Sequence, residues 1–279
     1  RLVDGQAVQA KPATPPARPA GPAPVVRPLK IVVAGGFAAG KTTFVDAISE
    51  ITPLTTMRLG ELALQAGLPD GLFQVLPGKG SVVGERFISH PDVRKIVFTG
   101  STEIGVHVMA GAAKAIKRVT LELGGKSANI VFDDCDLEKA AATAPYGVFD
   151  NAGQDCCARS RILVQRSVFD RFMELLEPAV KGVVVGDPGR RDSEMGPLVS
   201  RKHFESVAGY VPDDAPVAFR GSAPSGPGFW FPPTVLTPAR TDRTVTEEIF
   251  GPVVTVLPFE DEADAIALAN ASEYGLSGS

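Results

Sequence analysis

The chain has 279 residues, of which 44% are hydrophobic and 22% charged, and its formal net charge is −4. Such a composition belongs to a soluble globular protein, and the length allows one large domain or two of ordinary size. The charge leaves no excess of Lys and Arg to neutralise phosphates, and no apolar run approaches the roughly 18 residues that span a bilayer, so neither nucleic acid nor a membrane is an expected partner.

Residues 1–28 contain the Pro/Ala tract KPATPPARPAGPAPVVRP, which has too little large apolar surface to offset ordering entropy and reads as a disordered arm. The run LKIVVA from Leu29 reads as a short buried strand, followed by the loop GGFAAGKTT and the apolar-periodic FVDAIS. Within it Gly35, Gly40, Lys41 and Thr42 match G-x-x-x-x-G-K-T, a loop whose backbone N–H groups cradle phosphates while Lys reaches the terminal phosphates and Thr meets Mg²⁺. A working nucleotide site would also need an acidic residue at the end of a later strand. The only look-alike is ANIVFDD, with Asp133 and Asp134, and no N-K-x-D guanine reader follows.

From Ile51 onward strands and helices alternate. Helical spacing at Leu59, Leu62, Ala63 and Ala66 is stopped by Gly67. Strands are expected at 72–76, 95–99, 119–123 and 128–132, with helical stretches around 81–88 and 103–116. A helix over 136–150 leads to Gly153, then come strand 161–165 and an amphipathic helix over 168–180. The later elements are VAF at 217–219, the Pro-bounded WFPPTVL, strand 253–259 and helix 261–271. The alternation predicts α/β layers around a largely parallel sheet. Trp230 and Phe231 read as core residues.

Cysteine usage bears on compartment and chemistry. Cys135, Cys156 and Cys157 are odd in number and two are adjacent, which suits a reducing compartment such as the cytoplasm better than a disulfide framework. His90, His107 and His203 lack ligand spacing, so no metal is expected. Cys156 falls in a polar loop between a helix and a strand, in FDNAGQDCCARSRILV, and Glu122 ends a strand in LELGGKSANIVF. A thiol and a carboxylate at two strand ends can serve as nucleophile and base. For an isolated Cys and Glu the ordinary alternative is a packed thiol and a solvated strand end.

The surrounding residues narrow that choice. Glu122-Leu123-Gly124-Gly125-Lys126 resembles the E-L-G-G-K motif of the aldehyde dehydrogenase superfamily. Phe149, Gly153, Gln154, Cys156 and Ala158 fit its F-x-x-x-G-Q-x-C-x-A motif, 34 residues on from the glutamate. FTGSTEIG (98–105), EMGPLVS (194–200), FWFPPTVL (229–236), EEIFGPV (247–253) and ANASEYGLSGS follow in the family's order. The resemblance implies that Cys156 is the nucleophile, Cys157 a packing residue and Glu122 the general base. Gly100, Ser101 and Gly124 would meet the dinucleotide, Glu248 would hold the nicotinamide ribose and Phe250 would pack beside the ring. The cofactor implied is NAD, with NADP as an alternative that Glu50 would disfavour by repelling a 2′-phosphate. The substrate implied is a small-molecule aldehyde, oxidised to a carboxylic acid through a thiohemiacetal and a thioester on Cys156.

The resemblance covers residues 49–279 and departs from the family at both ends. The family's K-P-S-E-x-T-P-L run corresponds to 47–54, where its ribose-binding Lys is Ala47. The segment before Ser49 instead resembles the start of a small regulatory GTPase, so the expectation is a chimera joined near Ser49-Glu50. The upstream oxyanion-donating Asn segment and the downstream oligomerisation segment are expected to be missing. The expected architecture is α/β: a disordered arm (1–28), a P-loop fragment (29–48), an incomplete Rossmann-like dinucleotide-binding domain (49–122) and a catalytic domain (123–279). The family forms homo-oligomers. Competing readings are a P-loop ATP- or GTP-binding module carrying a passenger domain, and a non-catalytic remnant that binds dinucleotide or a partner.

Overall fold

The computed structural model describes residues 31–33 and 52–279. Strand β1 (Ile31–Val33), expected from LKIVVA, pairs in parallel with β2 (Phe73–Val75). Helix α1 (Thr52–Gln65) starts earlier than its apolar spacing predicts. It ends as expected at Gly67, whose φ is +86°. There the Leu68 N–H donates to the Ala63 carbonyl and the Gly67 N–H to the Leu64 carbonyl, so two otherwise orphaned acceptors are satisfied. Helix α2 (Gly80–Ser89) precedes β3 (Lys95–Thr99), which pairs in parallel with β4 (Arg118–Glu122) across helix α3 (Thr102–Ala113).

The remaining strands are β5 (Ala128–Val131), β6 (Arg161–Gln165), β7 (Val217–Arg220), β8 (Thr234–Leu236) and β9 (Val253–Phe259). They form one sheet in the order β5-β6-β9-β8-β7. All neighbours are parallel except β7, which lies antiparallel on β8 at one edge. The WFPPTVL stretch contributes only its last three residues to β8, because Pro232 and Pro233 have no N–H to donate to a ladder. Strand β6 is buried on both faces, as its continuous apolar run requires of a central parallel strand.

Helices α4 (Leu137–Phe149), α5 (Phe169–Lys181), α6 (Arg201–Ala208), α7 (Arg243–Thr246) and α8 (Glu262–Ala269) complete the fold. Phe172, Leu176 and Val180 recur every fourth residue along α5 and pack with Val148, Ile162, Val164 and Val256 on one face of the sheet. Leu163, Leu257 and Phe259 point to the other face, against Ala265 and Leu268 of α8. Asp136, Ser200 and Asp261 cap three of these helices by accepting N–H bonds from Lys139, His203 and Asp264. Phe231 joins the larger core, whereas Trp230 stays half-exposed and its indole N–H donates to the Pro227 carbonyl. Among the described residues no helix is long and apolar enough to cross a membrane.

Candidate active site

Strands β5, β6 and β9 are consecutive and parallel, so the three loops that enter them meet at one edge of the sheet. The loop into β5 carries Gly124 and Gly125, the loop into β6 carries Cys156, and the loop into β9 carries Glu248 and Phe250. Topology alone therefore gathers residues far apart in the chain.

The Cys156 loop begins where α4 gives way to an unusual turn. Asn151, Ala152 and Gly153 have φ of +51°, +56° and +67°, three left-handed residues in succession. Two of them carry side chains, and each such residue costs on the order of 1–3 kcal/mol unless its surroundings fix it. Here they do. Asn151 Nδ2 donates to the Gln154 carbonyl at 3.0 Å and Gln154 Nε2 donates back to the Asn151 carbonyl at 3.0 Å. Buried Gln154 also accepts the Val199 N–H through Oε1 at 3.0 Å. Gly153 admits no side chain, since a Cβ there would stand 2.2 Å from the Gly251 carbonyl oxygen.

Beyond this turn Cys156 is half-buried, and its carbonyl lies so close to Gly125 that a Cβ there would come within 2.2 Å of the oxygen. Glu248 closes the third side: its Oε1 accepts the Gly125 N–H at 3.0 Å. A Cβ on Gly124 would meet Glu248 Oε2 at 2.4 Å and the Tyr274 ring at 3.2 Å. The glycine pair is thus needed for close approach of the nucleophile loop on one side and the carboxylate on the other. The Tyr274 hydroxyl is hydrogen-bonded with the Glu248 backbone, and burial pushes its ionisation upward.

Phe250 sits at φ +56°, and its carbonyl accepts from His203 Nε2 at 2.6 Å. The two rings meet edge to face at 5.9 Å. Burial holds the His203 pKa down, and the hydrogen bond to the Phe250 carbonyl opposes that shift. Glu122 is exposed at the end of β4, two residues before the glycine pair, and its carbonyl accepts the Gly100 N–H at 2.9 Å. Ser101 caps α3 by accepting the Ile104 N–H at 3.3 Å. The structure thus sets Glu248 against Gly124 and Gly125, the Cys156 carbonyl against Gly125, and Gly100 beside Glu122. Glu50, Gly35, Gly40, Lys41 and Thr42 lie outside the described residues.

One expectation is corrected. Cys157 is exposed and does not pack. It occupies the second corner of a tight turn whose first corner, Cys156, is half-buried. Other supporting residues escaped the sequence reading. His203 and Tyr274 act through contacts between distant segments, and only the Ser200–His203 capping spacing hinted at α6. Lys126 is buried, and its Nζ has no hydrogen-bond partner among the described residues. Desolvation, then the nearby Arg161, depress its pKa to about 7 against the opposing pull of Glu248 and Glu247. Arg161, also buried, donates to the carbonyls of Lys126, Leu268 and Ala269, each at 2.9 Å.

Comparison with known proteins meets this geometry. The model of the aldehyde dehydrogenase family matches residues 27–279. An aldehyde dehydrogenase of Emericella nidulans is 42% identical over 246 residues, which is 86% of this chain and 49% of that protein. The human cytosolic 10-formyltetrahydrofolate dehydrogenase is 43% identical over 248 residues, 86% of this chain and 27% of that one. Betaine aldehyde dehydrogenase from Staphylococcus aureus, solved in complex with NAD⁺, superposes with a TM-score of 0.77 at 44% identity, covering 82% of this chain and 47% of that one. The chain therefore spans at most about half the length of these relatives. It belongs to the aldehyde dehydrogenase family.

Proposed function

We propose that the chain carries the nucleophile and part of the dinucleotide site of an NAD-dependent oxidation of an aldehyde to a carboxylic acid. The observation that carries this reading is the three-way contact at the glycine pair, where the Cys156 carbonyl and the Glu248 carboxylate meet at Gly125. The residues present fit a dinucleotide. The N-terminus of the 12-residue helix α3, which opens at Ser101, would hold a pyrophosphate, and the Glu248 carboxylate would hold ribose hydroxyls. The solved Staphylococcus aureus relative with NAD⁺ supports the same cofactor here.

In this mechanism the Cys156 thiolate attacks the aldehyde carbonyl, and the Cys156 N–H stabilises the resulting oxyanion. Glu248 and the α3 N-terminus at Ser101 would hold NAD, which would supply the hydride acceptor needed between the thiohemiacetal and the thioester on Cys156. Glu122, exposed at its strand end and open to water, takes a proton from the water that hydrolyses the thioester. His203 and Phe250 hold the loop that carries Glu248. Three cysteines with no disulfide among the described residues suit a cytoplasmic location. The P-loop fragment joined near Ser49 and the domain division at residues 122–123 are part of the same reading.

The test is NADH formation, followed at 340 nm with a panel of aldehydes. Turnover that disappears in Cys156→Ser, with the fold retained, is the expected result. In Glu122→Gln a rapid first turnover should survive while steady-state turnover falls about 10²–10⁴-fold. Undiminished turnover in Cys156→Ser would overturn the assignment.

A further inference from the structure

The turn that carries Cys156 holds a second set of chemical groups. The Ala158 N–H donates to the Asp155 carbonyl at 3.1 Å, so Cys156 and Cys157 form the two corners of a β-turn. Asp155 Oδ1 accepts the Cys157 N–H at 3.0 Å, which folds the carboxylate back over the same two residues. As a result a carboxylate oxygen of Asp155 and the sulfurs of Cys156 and Cys157 all lie within 4.8 Å of one another. Asp155 and Cys157 are exposed and Cys156 is half-buried, so the group is open to ions from solvent.

The dimensions and donor set select a class of ion. Zinc–sulfur and zinc–oxygen bonds of about 2.3 and 2.1 Å around a tetrahedral centre need sulfurs about 3.8 Å apart and sulfur–oxygen separations of about 3.5 Å. Both are shorter than the 4.8 Å within which the three ligand atoms lie. Two thiolates and one carboxylate suit a borderline-soft divalent cation such as Zn²⁺, whereas Mg²⁺ and Ca²⁺ prefer oxygen alone. Three protein ligands leave the fourth position to water. The turn is also held in place, because Gly125 abuts the Cys156 carbonyl and the bonded residues 151–154 anchor its entry. Histidine spacing could not have found this site, since it contains no histidine.

We propose that Asp155, Cys156 and Cys157 form a site for a thiophilic divalent cation of the zinc class, and that its occupancy caps the Cys156 sulfur. Binding forms two metal–sulfur bonds, releases both thiol protons and water from the ion, and changes no oxidation state. The inhibitory consequence rests on Cys156 being the nucleophile; the binding does not.

The experiment is a Co²⁺ titration of the full reduced chain, read by the thiolate-to-cobalt charge-transfer band and by proton release, with Zn²⁺ as displacing ion. The expected result is one ion per chain, about two protons released, and affinity lowered tenfold or more in Cys157→Ser. Asp155→Asn keeps an oxygen for the Cys157 N–H but loses the charge, and should weaken binding similarly. Circular dichroism would check that both variants keep the fold. No band up to millimolar Co²⁺, or an undiminished band in Cys157→Ser, would overturn the site. A parallel assay of NADH formation separates the two claims. Zn²⁺ should inhibit the native chain at concentrations at least tenfold below those needed for Cys157→Ser, whose metal-free turnover should be unchanged. A cobalt band without any aldehyde turnover would leave the metal site standing and remove the catalytic reading.

Discussion

Residues 52–122 and residues 123–279 share a strand–helix alternation, yet they bury their apolar side chains very differently. In the first region the buried hydrophobic residues among those described are Phe98, Val108 and Ala112, while Val82, Val97 and Val106 are each 60% exposed or more. In the second, Leu163, Val164, Phe172, Val180 and Val235 are all 0% exposed. The cause is sheet size. Two-stranded pairs offer a helix little surface to cover, whereas the five-stranded sheet has two faces and a helix layer on each. Alternation in sequence specifies the elements; the number of paired strands decides how much of the hydrophobic effect they collect, at roughly 25 cal/mol per Å² of apolar surface removed from water.

The largest effect that would test this contrast comes from matched arginines. Arg161 opens β6, is buried, and satisfies three carbonyls at 2.9 Å. Arg118 opens β4 and is exposed. Arg161→Leu strands those carbonyls and should cost about 3–5 kcal/mol in urea unfolding, whereas Arg118→Leu should change stability by no more than about 0.5 kcal/mol. Equal midpoints for the two variants would mean that the second region is no more tightly specified than the first.

A smaller effect comes from Lys126, and it depends on pH. Its pKa is depressed from 10.5 to about 7, so in the folded chain the amine is neutral above that pH while the unfolded chain still holds the proton. The unfolded state therefore binds more protons between about pH 7 and 10.5, and stability rises with pH across that window. At about 1.4 kcal/mol per pKa unit the gain is on the order of a few kcal/mol. Cys135, whose pKa burial pushes up from 9.0, and Tyr210, pushed up to about 12, oppose the trend at its alkaline end. The comparison belongs between pH 7 and 9, read as native chain against Lys126→Met. The variant should be more stable at pH 7 and the gap should close as pH rises. A constant gap would show that Lys126 remains charged in the folded state.

Much of this structure was legible in the residues. RILVQ and VVTVLPF read as strands because they are short apolar runs within an alternation of strands and helices, and Gly67 marked a helix end where a residue tolerant of positive φ is favoured. The motif that pointed to Cys156 also located its loop between α4 and β6. Less legible was whatever depends on long-range packing. Glu248 reaches Gly125 across 123 residues, and His203 acts on Phe250, 47 residues on, from a short, mostly polar helix. The left-handed run at Asn151–Gly153 is held by bonds from Gln154, and Asn and Ala at its first two positions give no cue comparable to glycine.

The smallest effect lies in the first region and uses its own internal contrast. Helix α3 ends with the same pair of hydrogen bonds as α1: the Lys117 N–H donates to the Ala112 carbonyl and the Ile116 N–H to the Ala113 carbonyl. The residue in the left-handed position is Gly67 in one case and Ile116, at φ +50°, in the other. A β-branched side chain at that φ crowds its own backbone, and Ile116 recovers nothing by packing because it is 93% exposed. Ile116→Gly relieves the crowding but enlarges the entropy of the unfolded chain, and the balance should favour the variant by about 0.5–1 kcal/mol. Hydrogen exchange at the β3 and β4 amides would report it as slower exchange, with the amides of β5, β6 and β9 unmoved. Gly67→Ile should act in the opposite sense on β2. Faster exchange in Ile116→Gly would mean that the exposed isoleucine restrains the unfolded chain more than it strains the folded one.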